Sequence, residues 1–222
     1  MAEGEERRLM HEGWPIAKEG FPFLIPVFLL TLFFMGMSWT VLTAVGILLT
    51  LSIAFFFRNP RRNAPNEVNG VLSPADGKVI HVGECAEDRF LKENALKISI
   101  FMSLFDVHIN RSPASGKVIE RVHHPGRFLV ASREKSSRLN EQNALILETE
   151  DRFKILCIQI AGYVARRIVC YPKPGDFLKK GQIFGLIRFG SRVDLYLPVD
   201  VAPAVQVGQQ VKGGESIIGY RR

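Results

Sequence analysis

The chain opens with a long apolar stretch and continues with short apolar runs separated by turn residues. Residues 21–57 include no acidic, basic or histidine residue. A single membrane-spanning helix needs about 20 residues, so this stretch is too long for one span and long enough for two short ones. The natural break is Gly36-Met37-Ser38-Trp39. We therefore predict a helical hairpin with helices at 21–35 and 40–57.

Basic residues flank this stretch on both sides and are absent from its turn: Arg7, Arg8 and Lys18 precede it, and Arg58, Arg61 and Arg62 follow it. The positive-inside rule then puts both ends in the cytoplasm. We expect a cytoplasmic flank at 1–20, a transmembrane anchor at 21–57 in the cell membrane, and a cytoplasmic domain at 58–222. A re-entrant hairpin and a cleaved signal peptide are the alternatives, although no small-residue cleavage site is evident.

After Arg62 the apolar runs are short, and turn dipeptides such as Asp76-Gly77 and Pro174-Gly175 separate them. One amphipathic helix is a candidate, at 131–142. This pattern predicts a mostly β domain, a hybrid of β-sandwich and barrel. The predicted strands lie at 79–82, 96–101, 117–122, 144–147, 153–160, 168–171, 183–189 and 193–197.

A weak internal repeat supports a β fold. Gly175 and Gly181 stand six residues apart in one copy, as Gly208 and Gly214 do in the other, and an apolar strand follows each pair. Glycines at fixed offsets supply turn positions with positive φ. The pattern resembles the hammerhead halves of lipoyl and biotinyl domains, which carry a modified lysine between the two halves. Here residues 186–207 contain no lysine, so a carrier function lacks its reactive residue.

Composition excludes several classes of function. The net charge is +7, which suits an anionic membrane surface. Nucleic acid is not expected as a partner, because no base-stacking platform or zinc-type pattern is present. The chain has three cysteines, an odd number with no C-x-x-C pair, so we expect no disulfide framework and no metal site.

The segment between the two glycine copies contains Gly190-Ser191 between two apolar runs. Taken alone, this pair fits an ordinary tight turn. An ordered set of motifs gives it another meaning, because together they resemble the phosphatidylserine decarboxylase family in its short bacterial and archaeal form. The motifs are Phe56-Phe57-Arg58-Asn59-Pro60, Ser73-Pro74-Ala75-Asp76-Gly77, Phe101-Met102-Ser103-Leu104-Phe105-Asp106-Val107-His108, Asn110-Arg111-Ser112-Pro113, Gly162-Tyr163-Val164-Ala165-Arg166-Arg167-Ile168 and Arg188-Phe189-Gly190-Ser191-Arg192-Val193-Asp194.

The resemblance implies a proenzyme that cuts itself between Gly190 and Ser191. The products would be a β chain, 1–190, and an α chain, 191–222, that stay together as a heterodimer; a higher oligomer is compatible with this. Ser191 would become a covalent pyruvoyl cofactor. Its ketone would form a Schiff base with the amine of phosphatidylserine, and loss of carbon dioxide would give phosphatidylethanolamine. Archaetidylserine is an alternative substrate, and the lipid bilayer is an implied partner.

The resemblance also assigns roles to acidic and histidine residues. Asp76 matches the family aspartate of an Asp-His-Ser arrangement for self-cleavage, and His108 matches a histidine with an acid–base role. Longer family members have a second histidine where this chain has Arg111, which cannot act as a base. Either His108 does both tasks, or His123 or His124 substitutes, with His124 preferred.

Arg166 and Arg167 are candidates for binding the lipid phosphate through forked hydrogen bonds, although surface charge beside anionic lipid also explains them. Two further interpretations stay open: a non-catalytic membrane-tethered adaptor with a lipoyl-like domain, and a homologue of the decarboxylase that remains uncut.

Overall fold

A computed structural model describes residues 13–126, 140–162, 167–188 and 191–221. The chain forms two compact units, Met1–Arg61 and Arg62–Arg222. The first unit is helical and the second is built from β-strands.

The first unit is an antiparallel pair of apolar helices, as predicted. Helix α1 spans Phe21–Gly36 and helix α2 spans Thr40–Phe56. Ser38, in the turn between them, has a positive φ of 58°. The break expected after Gly36 is therefore confirmed to within one residue at the ends of the helices.

Two features hold this hairpin together. Gly46 allows the helices to approach, because a Cβ there would lie 2.4 Å from Thr31 Oγ1. At the open end, the segment before α1 runs beside the segment after α2. The Ala17 N–H donates to the Phe57 carbonyl at 2.8 Å, and the Asn59 N–H donates to the Pro15 carbonyl at 2.7 Å.

Many large apolar side chains of the hairpin are exposed, including Leu29, Val41, Leu48 and Leu51. Exposed apolar surface of this extent marks an interaction with lipid or another apolar partner. By length and composition, the helical stretch Lys18–Gly36 is the one part of the described chain able to cross a membrane, and Thr40–Phe56 is apolar but shorter.

The second unit contains short and long strands. Their bounds are β1 Gly70–Leu72, β2 Gly77–Glu87, β3 Glu93–Met102, β4 Ile109–Arg111, β5 Gly116–His124, β6 Gln142–Glu148, β7 Lys154–Ala161, β8 Ile168–Cys170, β9 Phe177–Leu178, β10 Ile183–Ile187, β11 Ser191–Pro198, β12 Ala202–Pro203, β13 Gln210–Val211 and β14 Ile217–Tyr220. Every strand predicted from the sequence is present. Of the candidate helix 131–142, residues 131–139 lie outside the described residues, and Gln142 begins β6.

The strands form a curled eight-stranded sheet and two three-stranded sheets. The large sheet has the order β13-β2-β3-β11-β7-β6-β5-β9, and the small sheets have the orders β1-β14-β12 and β4-β10-β8. These orders divide the domain into two equivalent seven-stranded halves. One half contains β1–β3 and β11–β14, and the other contains β4–β10.

Local contacts repeat in the two halves. The Leu72 N–H donates to the Pro113 carbonyl and the Arg111 N–H to the Pro74 carbonyl, both at 2.9 Å. The turn sequences before β2 and β5 are Ser73-Pro74-Ala75 and Ser112-Pro113-Ala114. The glycine repeat predicted from the sequence has a structural counterpart, because the four matched turn glycines have positive φ: Gly175 98°, Gly208 95°, Gly181 78° and Gly214 78°.

The second half is thus inserted into the first, between β3 and β11. The strand register matches individual residues of the two halves. Ser191 and its partner Met102 in the first half correspond to Phe153 and Thr149 in the second. In the second half, residues 149–153 close a tight turn, with the Thr149 N–H donating to the Phe153 carbonyl at 3.0 Å. Ser191 therefore stands where the chain re-enters the first half after the insertion.

The central strands β3, β11, β7 and β6 of the large sheet carry buried side chains on both faces. The inner face carries the larger apolar core, which includes Met102, Val193 and Leu195. The outer face carries a smaller cluster around Ile158, Ile160 and Tyr196. The mostly β prediction is confirmed, while the likeness to lipoyl-type hammerheads stays a prediction.

Candidate active site

Ser191 is the first residue of the central strand β11. It pairs with Met102 on β3 and with Ala161 on β7, and its side chain is fully buried. The Ser191 hydroxyl donates to the Met102 sulfur at 3.3 Å, which directs it into the inner core. Strand pairing on both sides and the hydrogen bond to Met102 fix the position of the Ser191 side chain.

Three buried amide side chains lead to the same sulfur. Asn143 Nδ2 donates to Gln159 Oε1 at 3.1 Å, and Gln159 Nε2 donates to Asn110 Oδ1 at 2.9 Å. Asn110 Nδ2 then donates to Met102 Sδ at 3.8 Å. All three amides are at most 3% exposed. They form one continuous hydrogen-bonded chain that ends beside Ser191.

His108 is buried just before β4. Its Nδ1 lies 3.0 Å from the Asp106 backbone oxygen. A carbonyl oxygen only accepts, so Nδ1 carries the proton and Nε2 is the basic nitrogen of the neutral ring. The Ile187 N–H donates to the His108 carbonyl at 3.2 Å, which ties His108 to the end of β10, a few residues before Ser191.

Asp76 lies in the turn before β2, and its hydrogen bonds go to a cation and to the backbone. Arg62 Nη2 donates to Asp76 Oδ2 at 2.7 Å, and the Gly213 N–H donates to Asp76 Oδ1 at 2.7 Å. Burial raises the pKa of Asp76 above its ordinary value, against the opposing charge of Arg62. Arg62 also bonds Glu215 at 2.9 Å.

The Arg111 side chain is held by the glycine turns. Its Nη1 donates to the Gly181 carbonyl at 3.2 Å. A Cβ at Gly214 would lie 2.6 Å from the Arg111 Cδ. Gly181 and Gly214 are matched positions of the repeat, so Arg111 packs where the two copies meet.

The outer face of β11 carries a buried ion cluster directly after Ser191. Arg192 donates to Asp194 through Nε at 2.5 Å and Nη2 at 2.8 Å, and Lys97 lies 3.5 Å from the same carboxylate. Burial alone would raise the pKa of Asp194, but the hydrogen bonds and charge of Arg192, with Lys97, hold it below its ordinary value. The cluster fixes the residue next to Ser191.

The histidines offered as substitutes are not near Ser191. His124 lies on β5, where it pairs with Gln142 of β6. In the large sheet, β5 is three strands from β11, a separation of about 14 Å at ordinary strand spacing. The His124 ring contacts Phe90 on the outer face, whereas Ser191 faces inward. His123 is exposed and lies 3.0 Å from Glu141.

The phosphate candidates are only partly described. The Arg167 carbonyl accepts from the Arg188 N–H at 3.2 Å, so Arg167 lies beside the segment that leads to Ser191. Arg166 and Gly190 lie outside the described residues.

Sequence reasoning gave no role to Met102 or to the amides Asn110, Asn143 and Gln159. Two of these amides give a signal in the sequence. Gln159 is a polar residue inside the predicted strand 153–160, and Asn143 directly precedes the predicted strand 144–147. Within the described part of the chain, no group of three or more histidine, cysteine, aspartate or glutamate residues is arranged to hold a metal ion. The groups described above are a buried hydroxyl, a buried histidine and amide donors, which suit acyl and proton transfer.

Comparison with known proteins shows the family to which the chain is related. Residues 49–219 match the family model described as phosphatidylserine decarboxylase. The chain is 49% identical over 211 residues to a phosphatidylserine decarboxylase proenzyme of Geotalea uraniireducens, covering 95% of this chain and 99% of that protein. It is 47% identical to the proenzyme of Syntrophotalea carbinolica, covering 96% and 99%. The identity to the Geobacter sulfurreducens proenzyme is 44%, covering 95% and 99%.

Proposed function

This chain belongs to the phosphatidylserine decarboxylase family, and from that premise we propose that it converts phosphatidylserine to phosphatidylethanolamine with a pyruvoyl group made from Ser191. It is an enzyme made as a proenzyme. The observation that carries the proposal is the buried Ser191 at the start of β11, hydrogen-bonded to Met102 and directly after Gly190 in the sequence.

Self-cleavage uses the chain's own atoms. Ser191 Oγ attacks the Gly190 carbonyl carbon, and the amide becomes an ester as the C–N bond breaks. A base removes the Cα proton of Ser191, and the Cβ–O bond breaks to release the Gly190 carboxylate. The resulting dehydroalanine tautomerises to an imine, and water hydrolyses it to a ketone and ammonia. Serine is required because it supplies both the nucleophile and the bond that is later broken.

The surroundings of Ser191 fit the product. Its side chain faces an apolar core and a thioether, which accommodate a methyl ketone after the hydroxyl is lost. Such a ketone would supply an electron sink for the decarboxylation of a substrate with a primary amine, and strand β11 would hold it through the Ser191 position.

His108 is our candidate for proton transfer. Its hydrogen bond to the Asp106 carbonyl leaves Nε2 able to accept or return a proton. Asp76 is the candidate carboxylate for self-cleavage, and its raised pKa favours proton exchange. The distance and facing of His124 give it no support as a substitute, and Arg111 cannot take protons.

A membrane lipid is the proposed substrate, with Arg167 and Arg166 as candidates for its phosphate. Leu104 and Phe105, which are 50% and 77% exposed, form an apolar tip between Met102 and His108. Asp106 holds this tip, since its carboxylate accepts from Ser103 N at 2.8 Å and Ser103 Oγ at 2.7 Å. Apolar surface beside the reactive residues suits an enzyme working at a bilayer. We propose that the hairpin anchors the enzyme in the cell membrane, with the β domain in the cytoplasm.

The two cleavage chains would remain one particle. Strand β11, Ser191–Pro198, pairs with β3 along its whole length and with β7 as far as Tyr196. A cut before Ser191 breaks none of these pairs. Contacts from Asp76 to Gly213 and from Arg62 to Glu215 also join residues on the two sides of the cut.

Intact-mass measurement of the purified protein tests the proposal. We expect two chains, 1–190 and 191–222, with the smaller one reactive to hydrazine and the protein forming phosphatidylethanolamine from phosphatidylserine. Ser191→Ala should give one uncut, inactive chain. An active Ser191→Ala protein, or a parent chain of full mass, would overturn the proposal; the latter outcome would favour an adaptor or an uncut homologue.

A further inference from the structure

The three buried amides beside Ser191 have apolar counterparts in the other half of the same domain. Strand register and order match Asn110, Asn143 and Gln159 with core positions of the first half. Those counterparts are Val71, Leu96 and Leu197. The two halves share strand order and turn contacts, so this difference is not a requirement of the architecture.

Burying an amide costs free energy unless its hydrogen bonds are made. The first half fills the same three places with side chains that need no partners, at exposures of 5% or less. An apolar residue is therefore sufficient for packing at each place. The amides of the second half need another explanation, and the chain that they form ends at Met102, which contacts Ser191.

The hydrogen bonds of the chain give it a direction. Gln159 Oε1 accepts from Asn143, and Asn110 Oδ1 accepts from Gln159, which also donates to the Val169 carbonyl at 3.3 Å. Both acceptor oxygens are thereby used inside the chain. The Asn110 amide group is turned so that its NH₂ faces Met102 Sδ, the atom that holds the Ser191 hydroxyl.

We propose that Asn110, oriented by Gln159 and Asn143, is a positioning residue for self-cleavage and acts on Ser191 through Met102. This rests on the proposed function. Donation from Asn110 fixes the Met102 side chain, and the fixed sulfur holds the Ser191 hydroxyl in one rotamer. Holding a nucleophile in a single productive geometry raises the rate of an intramolecular attack.

The other half of the domain supplies the test variant. Asn110→Val installs the residue found at the matched position, and Asn110→Thr has the same shape but keeps an O–H donor. Each full-length chain is synthesised in a cell-free reaction with lipid nanodiscs, and the cut fraction is followed by intact mass. We expect Asn110→Val to cut about tenfold more slowly than the parent, and Asn110→Thr to recover most of the rate. Gln159→Leu should also slow the cut.

Thermal unfolding of uncut chains is the control, with Ser191→Ala as the common background. A rate loss in Asn110→Val at an unchanged melting temperature, with recovery in Asn110→Thr, supports positioning. Equal rates in parent and Asn110→Val, or equal losses in the Val and Thr variants, would overturn it. If the parent itself stays uncut, the proposed function fails, whereas a cut parent with equally cut variants removes only this inference.

Discussion

The Ser191 hydroxyl donates to the Met102 sulfur, 3.3 Å away across the β3–β11 pair. A thioether is a weak acceptor and has no basicity near neutral pH. Met102 can therefore hold the hydroxyl without taking its proton, which must go to a separate base. Met102 also belongs to the inner core, so its side chain both packs against Ser191 and accepts its hydrogen bond.

Met102→Leu separates these two roles. Leucine has nearly the same volume, so the cost in stability should stay below about 1.5 kcal/mol. It has no acceptor, so self-cleavage should slow by about threefold to tenfold. Activity per cut chain should stay close to that of the parent. A cut rate equal to that of the parent, measured by intact mass, would remove the hydrogen bond from the mechanism.

His108→Gln addresses proton transfer. Glutamine keeps a polar side chain of similar length but cannot exchange a proton near neutral pH. We expect activity per cut chain to fall by about 10²–10⁴-fold, the usual contribution of a general acid or base. Activity is measured as phosphatidylethanolamine formed per mole of the 191–222 chain. His124→Gln is the matched control and should leave this rate unchanged, because His124 lies on the other face of the sheet.

The sequence predicted the long strands because their apolar runs are bounded by glycine and proline turns. The glycine repeat was also visible, and the positive φ values at Gly175 and Gly208 follow from residue type. The halves themselves were not visible from the glycines alone, because β3 and β11 pair across the intervening residues 103–190. Pairing at that separation leaves no local signal.

The same reason explains what was missed at the site. Ser191 and His108 are candidates that motifs indicate, whereas Asn143 and Gln159 contact partners on strands that local patterns do not pair. In the sequence Arg62 is a basic residue flanking the apolar stretch, whereas in the structure it bonds Asp76 and Glu215. The partners of a buried polar group depend on register, which turns and apolar periodicity specify only within a hairpin.

Differences between the two halves gather around Ser191. On the inner face, the second half has three buried amides at positions where the first half has apolar residues. On the outer face, Lys97 and Asp194 of the first half match Ala144 and Leu156 of the second. Strand β11, which begins at Ser191, therefore has polar contacts on both of its faces. The matched strand β7 has apolar residues on its outer face.

Asp194→Asn tests the outer cluster through stability and its pH dependence. Removing the carboxylate leaves Arg192 buried without its ion pair, which should cost about 3–5 kcal/mol at pH 7. The pKa of Asp194 is lower in the folded chain than in the unfolded one, so its contribution is complete above the unfolded value, near 4, and is lost as the pH falls through the folded value.

The difference in the urea midpoint of unfolding between the parent and Asp194→Asn, called the gap below, should therefore be large at pH 7 and small in acid. Asp151→Asn is the control, because Asp151 pairs with Arg221 at the surface and exposed pairs contribute little. A gap that widens on acidification would contradict the assigned direction of the Asp194 pKa.

The apolar tip predicts a dependence on the form of the substrate. Leu104→Ser with Phe105→Ser should lower activity on phosphatidylserine vesicles by about tenfold or more, because burying two large side chains in lipid contributes several kcal/mol to binding. Activity on a short-chain, monomeric phosphatidylserine should change little. Val68→Ser with Val207→Ser alters two comparably exposed residues elsewhere and should not affect either substrate. Equal losses on both substrates would show that the tip supports the site rather than the membrane contact.

Retention of the small chain is the last expected outcome. If the chain is cut at 190/191, strand pairing would still hold residues 191–222: β11 pairs with β3 and β7, β13 with β2, and β14 with β1. Leu195 and Leu197 are fully buried in the core, so dissociation would expose the interior of the large sheet. We expect native mass spectrometry in detergent to find both chains in one particle, and urea to release the small chain only as the domain unfolds. Release of 191–222 before loss of β-sheet circular dichroism would mean that β11 is not the central strand of the mature enzyme.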